Sequence, residues 1–155
     1  MRVAWIAAVL ALGLGGCGSG GDDERRPPPS DPTRDEVAVI RGWADALRAG
    51  HVGEASDFFA VPALVSNPAP LLRLPSRAAV EDFNRGLPCG AELVGTERGA
   101  HALVIATFRL TERPGRGSCG TGTGALARTA FLIRGRRIVQ WLRVADPPPT
   151  DTDAI

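Results

Sequence analysis

Phe131-Leu132-Ile133-Arg134-Gly135-Arg136-Arg137-Ile138-Val139-Gln140-Trp141 is the stretch on which the fold turns. Two runs rich in β-branched and aromatic residues flank Gly135, which takes the backbone of a tight turn at no steric cost. The segment therefore predicts an antiparallel hairpin with strands over 125–134 and 137–144. Upstream, the same alternation predicts strands over 92–97 and 101–111, joined by a turn at Arg98-Gly99. Between them the glycine-rich residues 114–124 read as a loop. No Gly-Lys-Ser/Thr follows and no helix opens after it, which argues against a phosphate cradle.

Before residue 90 the apolar period is helical. Thr33-Arg34-Asp35-Glu36 matches a capping box, in which each end residue satisfies the backbone N–H of the other. Val37, Ile40, Ala44 and Leu47 then recur on one face beside Trp43. Gly50 offers a left-handed stop, so a helix is predicted from Arg34 to about Ala49. Residues 54–59 predict a short second helix ending in Phe58-Phe59, and 61–65 a short strand. Asn67-Pro68-Ala69-Pro70 breaks the chain. Ser76 caps a third helix over 77–85, with Val80 and Phe83 three apart and Gly86 closing it. Helices first and antiparallel strands second specify an α+β domain, with three helices packed on one face of a curved sheet.

The N-terminus carries an address. Arg2 precedes an apolar run over 3–14 that is too short to span a bilayer, which needs roughly 20 residues, so residues 1–16 read as a signal peptide. Leu14-Gly15-Gly16-Cys17 resembles the lipobox of bacterial lipoproteins. That resemblance implies cleavage before Cys17 and its lipidation with diacylglycerol and palmitate-type chains, two or more of which anchor stably. The Gly-, Ser- and Pro-rich residues 17–32 then form a disordered tether, 33–146 the domain, and 147–155 a disordered Pro-rich tail. The expected location is extracytoplasmic, lipid-anchored to the cell membrane or outer membrane.

Composition narrows the partners. The chain has 18 basic and 17 acidic residues, and the leader removes only Arg2, so the mature protein is formally neutral and offers no global field for nucleic acid. Every basic residue is Arg, and there is no Tyr. About 110 residues suit one domain with one core. With Cys17 lipidated, Cys89 and Cys119 remain as an even pair, which in an oxidising compartment predicts a disulfide. Neither sits in a Cys-x-x-Cys and no His is near, so no metal or other cofactor is expected.

The order helix, short helix, helix and curved sheet resembles the NTF2-like superfamily, with its SnoaL-like and ketosteroid-isomerase-like branches. Residues 40–51 and 55–60 look like that family's opening helix pair, 75–83 like the helix that closes its cone, and 131–141 like its final hairpin. The resemblance implies a cystatin-like cone with a cavity. Enzymes of that family use an Asp or His base with a Tyr or acid holding an oxyanion, and the missing Tyr removes one such donor.

The candidate residues follow from this. His101 opens a predicted strand and shares its face with Leu103, Ile105, Thr107 and Arg109. If that face lines the cone, His101 is a base and Arg109 an anion-steadying group; if it meets solvent, both are surface residues. Asp57 beside Phe58 is the second candidate base, against the plainer reading of a solvated helix face. Trp43, Arg109 and Trp141 are candidate ligand contacts, though aromatics at this spacing usually build the core. His51 past a helix end and the arginines 134, 136 and 137 at the hairpin tip read as solvated. The leading expectation is a non-catalytic, lipid-anchored domain binding a small apolar ligand or an envelope protein. The alternatives are an isomerase or dehydratase using His101 or Asp57, and a structural assembly module, with a homodimer among the expected states.

Overall fold

A computed structural model describes residues 30–115 and 117–145. The expected leader, Cys17 and the Pro-rich tail lie outside the described residues. Helix α1 (Arg34–Arg48) starts as the capping box predicts: the Thr33 hydroxyl accepts from Glu36 N at 3.2 Å, and Glu36 Oε2 accepts from Thr33 N at 2.8 Å. Gly50 closes it at φ +80°, and a Cβ there would lie 3.0 Å from Pro114. Helix α2 (Val52–Asp57) stops earlier than the spacing suggested, because Phe59 is taken into strand β1 (Phe59–Ser66) and buried against the sheet. Strand β2 (Leu72–Leu74) and helix α3 (Arg77–Gly86) follow, with Ser76 accepting from Ala79 N at the cap.

The remaining chain is strand β3 (Gly90–Arg98), β4 (Val104–Thr111), β5 (Leu126–Arg134) and β6 (Arg137–Val144), antiparallel in succession. The six-stranded sheet has the order β2-β1-β6-β5-β4-β3. One pairing departs from a simple meander: β1 lies parallel to β6, with Val65 opposite Trp141. The strand over 101–111 also starts late. A turn closed by Gly99 N to Leu103 O at 2.8 Å holds His101 and Ala102 at positive φ, so β4 begins at Val104.

The inner face of β4 is Val104, Ala106 and Phe108, all buried, while Arg109 is exposed on the outer face. Helices α1, α2 and α3 cover the inner face around Trp43, which meets Phe59, Phe108, Phe131 and Trp141 edge-to-face at centroid distances of 5.5 to 6.5 Å. Such pairs contribute roughly 0.5–1.5 kcal/mol each beyond their buried area. The N-terminal approach is pinned as well. Arg98 on β3 forks onto Glu36 at 2.6 and 3.0 Å and donates to the carbonyls of Ser30 and Asp31. That pairing holds the Glu36 carboxyl at about 2, well below its ordinary 4.5.

Candidate functional site

A cavity of about 190 Å³ opens at the end of the cone between α1, the start of β3 and the inner faces of β4, β5 and β6. Its floor is aromatic, built from Trp43, Phe108 and Trp141; Leu47, Leu87 and Ala91 form apolar walls, and the exposed Asn67 and Pro88 its rim. Trp43 is fixed by a polar network under the floor. Its indole N–H donates to Asn84 Oδ1 at 2.9 Å, and Asn84 Nδ2 donates to Ser56 Oγ and Val80 O. Asn84 is fully buried, so this one amide ties together three helices that share no backbone hydrogen bonds. A single polar residue inside a helical apolar face gives no periodic signal, which is why sequence reading passes over it.

Three polar side chains reach the lining from the sheet. Arg143 donates from Nη1 to Arg128 O at 2.8 Å. Thr129 on β5 is buried and lines the cavity. Trp141, 4 % exposed, keeps its indole N–H without an acceptor among the described residues. Alternation along β5 and β6 was visible in the sequence, but which face points inward was not, and only that choice brings Thr129 and Arg143 into the cavity.

Beside the mouth the chain is locked twice. Cys89, on the lining, is disulfide-bonded to Cys119, the pair expected when Cys17 is set aside. The loop carrying Cys119 wraps around the Glu112 carboxylate, which accepts from Cys119 N and Gly120 N at 3.1 Å and from the hydroxyls of Thr123 and Ser118 at 3.0 and 3.3 Å. These bonds, the Cys119 amide first, hold that carboxyl below the usual range. Arg113 next to it donates to the last carbonyls of two helices, Leu47 O on α1 and Asn84 O and Arg85 O on α3. Burial pulls its guanidinium below the ordinary arginine value.

The candidate acid-base residues lie elsewhere. His101 is exposed on the turn before β4, and Arg109 projects from the outer face of the sheet; neither lines the cavity. The face carrying Ile105, Thr107 and Arg109 is the outer one because Val104, Ala106 and Phe108 fill the core. Asp57 is exposed at the end of α2, ion-paired with Arg77, which holds its carboxyl below the ordinary value. It borders two shallow clefts of about 400 Å³ on the outside of the helices, where its charge is already met by Arg77. His51 is exposed, 3.3 Å from Glu54, and Arg136 pairs with Asp35 at 3.2 Å. Trp43 and Trp141 are both core residues and cavity floor. Among the described residues no three His, Cys, Asp or Glu side chains converge as metal ligands would.

No protein-family model matches the chain, and no curated protein matches it in sequence. Solved structures do. A SnoaL-like protein from Burkholderia thailandensis E264 superposes with a TM-score of 0.52 at 21% identity, over 75% of this chain and 99% of that one. An NTF2-like protein from Cytophaga hutchinsonii gives 0.54 at 10% identity over 73% and 91%. A cystatin-fold protein from Novosphingobium aromaticivorans gives 0.53 at 8% identity over 74% and 100%. At these identities the likeness is one of fold: the chain has the α+β fold of these NTF2-like and cystatin-fold proteins.

Proposed function

We propose that this domain binds a small apolar ligand in its cone without transforming it, held at a membrane by a lipid on Cys17. The observation that carries this reading is the lining of the cavity: an aromatic floor and apolar walls, with Arg143 as its one charged side chain among the described residues. General acid-base chemistry needs a titratable group within hydrogen-bond reach of the ligand, and Arg is protonated at any working pH. His101 and Asp57, the bases of the isomerase or dehydratase alternative, stand outside that lining. The anchor rests on the lipobox resemblance and on the tether composition that follows Cys17.

Native mass spectrometry on the full protein, extracted from its own membrane in mild detergent, tests the binding half. A reproducible bound small molecule supports it, while bare protein moves the reading to an interaction module. Catalytic turnover of an enolisable ketone, lost in His101→Ala or Asp57→Asn, would overturn the non-catalytic half. Cys17→Ala is expected to move the protein from the membrane fraction to the soluble fraction.

Docking on an envelope protein is the second reading. The outer face of the sheet favours it, since Leu126 and Val94 stand about half exposed there. Loss of a co-purifying partner on Leu126→Glu, with ligand content unchanged, would favour docking.

A further inference from the structure

We infer that the exposed apolar run Pro68-Ala69-Pro70-Leu71-Leu72 enters the surface of a lipid bilayer and sets the mouth of the cavity against it, so that the cone opens onto lipid. The inference rests on the anchored, ligand-binding reading above and names the source of the ligand.

The register fixes which end of the cone this is. Gly90 lies opposite Thr111, Arg109 opposite Leu126, Arg128 opposite Val144 and Ser66 opposite Leu142. The starts of β3 and β5 and the ends of β1, β4 and β6 therefore share one end of the sheet, and the cavity opens there beside Asn67, Leu87 and Cys89. Residues 67–73, which lead from β1 into β2 at the same end, are all exposed, Leu71 at 60 % and Leu72 at 52 %. A shallow groove of about 250 Å³, walled by Pro70, Leu72 and Phe83, shares Asn67 and Leu87 with the cavity, so apolar surface continues from the run to the mouth.

A surface that meets only water rarely carries more than about three exposed apolar residues in succession. The chemistry around this run selects lipid as its partner. Pro70 and Pro75 bracket the three residues of β2, which leaves too short an edge for strand pairing with a second copy. Between Asp57 and Glu81 the sequence has no acidic residue, while Arg73 follows the run directly and is exposed. A cationic head next to an apolar run suits the headgroup level, where it meets phosphate. Asp82, on the groove, is already paired with Arg85.

The tether is long enough for this orientation. Ser30 is held by Arg98 at the far end of the cone and follows Cys17 by 13 residues, up to about 45 Å of extended chain. The nine residues of β5 span about 30 Å, so a lipid on Cys17 reaches the mouth end. That far end is basic at Arg134, Arg136 and Arg137, but its charges are largely met inside the fold: Arg136 pairs with Asp35, Arg98 with Glu36 and Arg77 with Asp57. At about 190 Å³ the cavity takes a membrane-dissolved molecule smaller than drug-sized ligands, which occupy roughly 300–1,000 Å³.

The test places the full lipidated protein on phosphatidylcholine vesicles carrying nitroxide-labelled lipid, with the dye NBD on one added cysteine. Ala69→Cys reports the run, Asn67→Cys the rim of the cavity and Ala100→Cys the far end; all three positions are exposed. Dye at residues 69 and 67 is expected to shift to the blue and to be quenched several-fold more than dye at residue 100. Leu71→Glu with Leu72→Glu alters exposed side chains only, and circular dichroism checks the fold. Losing two leucine insertions should lower the inserted population by about a hundredfold and abolish the quenching at residue 69. Stronger quenching at residue 100, no quenching at any position in protein that floats with the vesicles, or quenching at residue 69 that survives the double substitution each overturns the inference and leaves anchor and ligand binding standing. Wild-type protein that fails to float with vesicles overturns the anchor reading and this inference with it.

Discussion

Replacing Asn84 by Leu tests whether the buried amide network holds the helices in place. Leu keeps the branched outline and is larger, so no cavity opens, and overpacking at this fully buried site adds to the loss of hydrogen bonds. Asn84 accepts from Trp43 Nε1 at 2.9 Å and donates to Ser56 Oγ at 3.2 Å and Val80 O at 3.0 Å. After substitution Ser56 still donates to Val52 O at 2.8 Å, and Val80 O keeps its helical bond, so the main loss falls on the Trp43 N–H. An unsatisfied buried donor costs about 1–3 kcal/mol, and the lost amide donors bring the expected destabilisation to about 2–3 kcal/mol. For a domain of this size that lowers Tm by roughly 6–15 °C. Urea unfolding followed by far-UV circular dichroism, with the disulfide intact, measures it, and an unchanged m-value shows that the unfolded state has not altered. Trp43→Phe completes a double-mutant cycle, in which donor and acceptor disappear together and a coupling of about 1–2 kcal/mol is expected. A loss below about 0.5 kcal/mol for Asn84→Leu, or strict additivity in the cycle, would refute the reasoning.

Three further outcomes are expected. Because Glu36 titrates near 2 when folded and 4.5 when free, its pairing with Arg98 stabilises the domain fully above about pH 5. The contribution fades as pH falls from 4.5 towards 2, so the stability gap between wild type and Glu36→Gln should close over that window in urea titrations at stepped pH. Reducing the Cys89–Cys119 bond, or replacing both residues by Ser, opens a loop of 30 residues and should cost about 3–4 kcal/mol; intact protein should show no thiol reactive at Cys89 or Cys119 until reduced. Glu112→Gln turns an acceptor of four donors into a group with one acceptor oxygen, and trypsin should cut the loop after Arg116 several-fold faster, Arg113 being protected by the proline that follows it. An unchanged cleavage rate would show that the disulfide alone holds that loop.

What the sequence discloses and what it hides divide along the range of the interactions involved. The capping box at Thr33, the turn at Gly135 and the bounds of β6 are local, and each is legible from a few adjacent residues. The disulfide followed from counting. The parallel pairing of β1 with β6 was not legible, because alternation specifies a strand and its faces but not its neighbour. Strand β2 is three residues between prolines, too short to display a period. His101 and Ala102 continue the apolar–polar rhythm of the strand that follows, yet a turn bond from Gly99 to Leu103 removes them from it. The candidate site fared unevenly for the same reason. Trp43 and Trp141 were visible as large aromatics. Asn84, Thr129 and Arg143 acquire meaning only once three helices and three strands converge.

The position of β6 between β1 and β5 bears on how the chain comes to be folded at all. Among the described residues the last strand to be synthesised lies inside the sheet, and until it emerges β1 and β2 have no partner on that side. Trp43, contributed by the first helix, likewise waits for Trp141 near the end of the described chain. Such long-range closure makes folding slow compared with a helical bundle. Truncation at Gly135 would then yield no smaller domain, only two halves of a sheet with nothing between them.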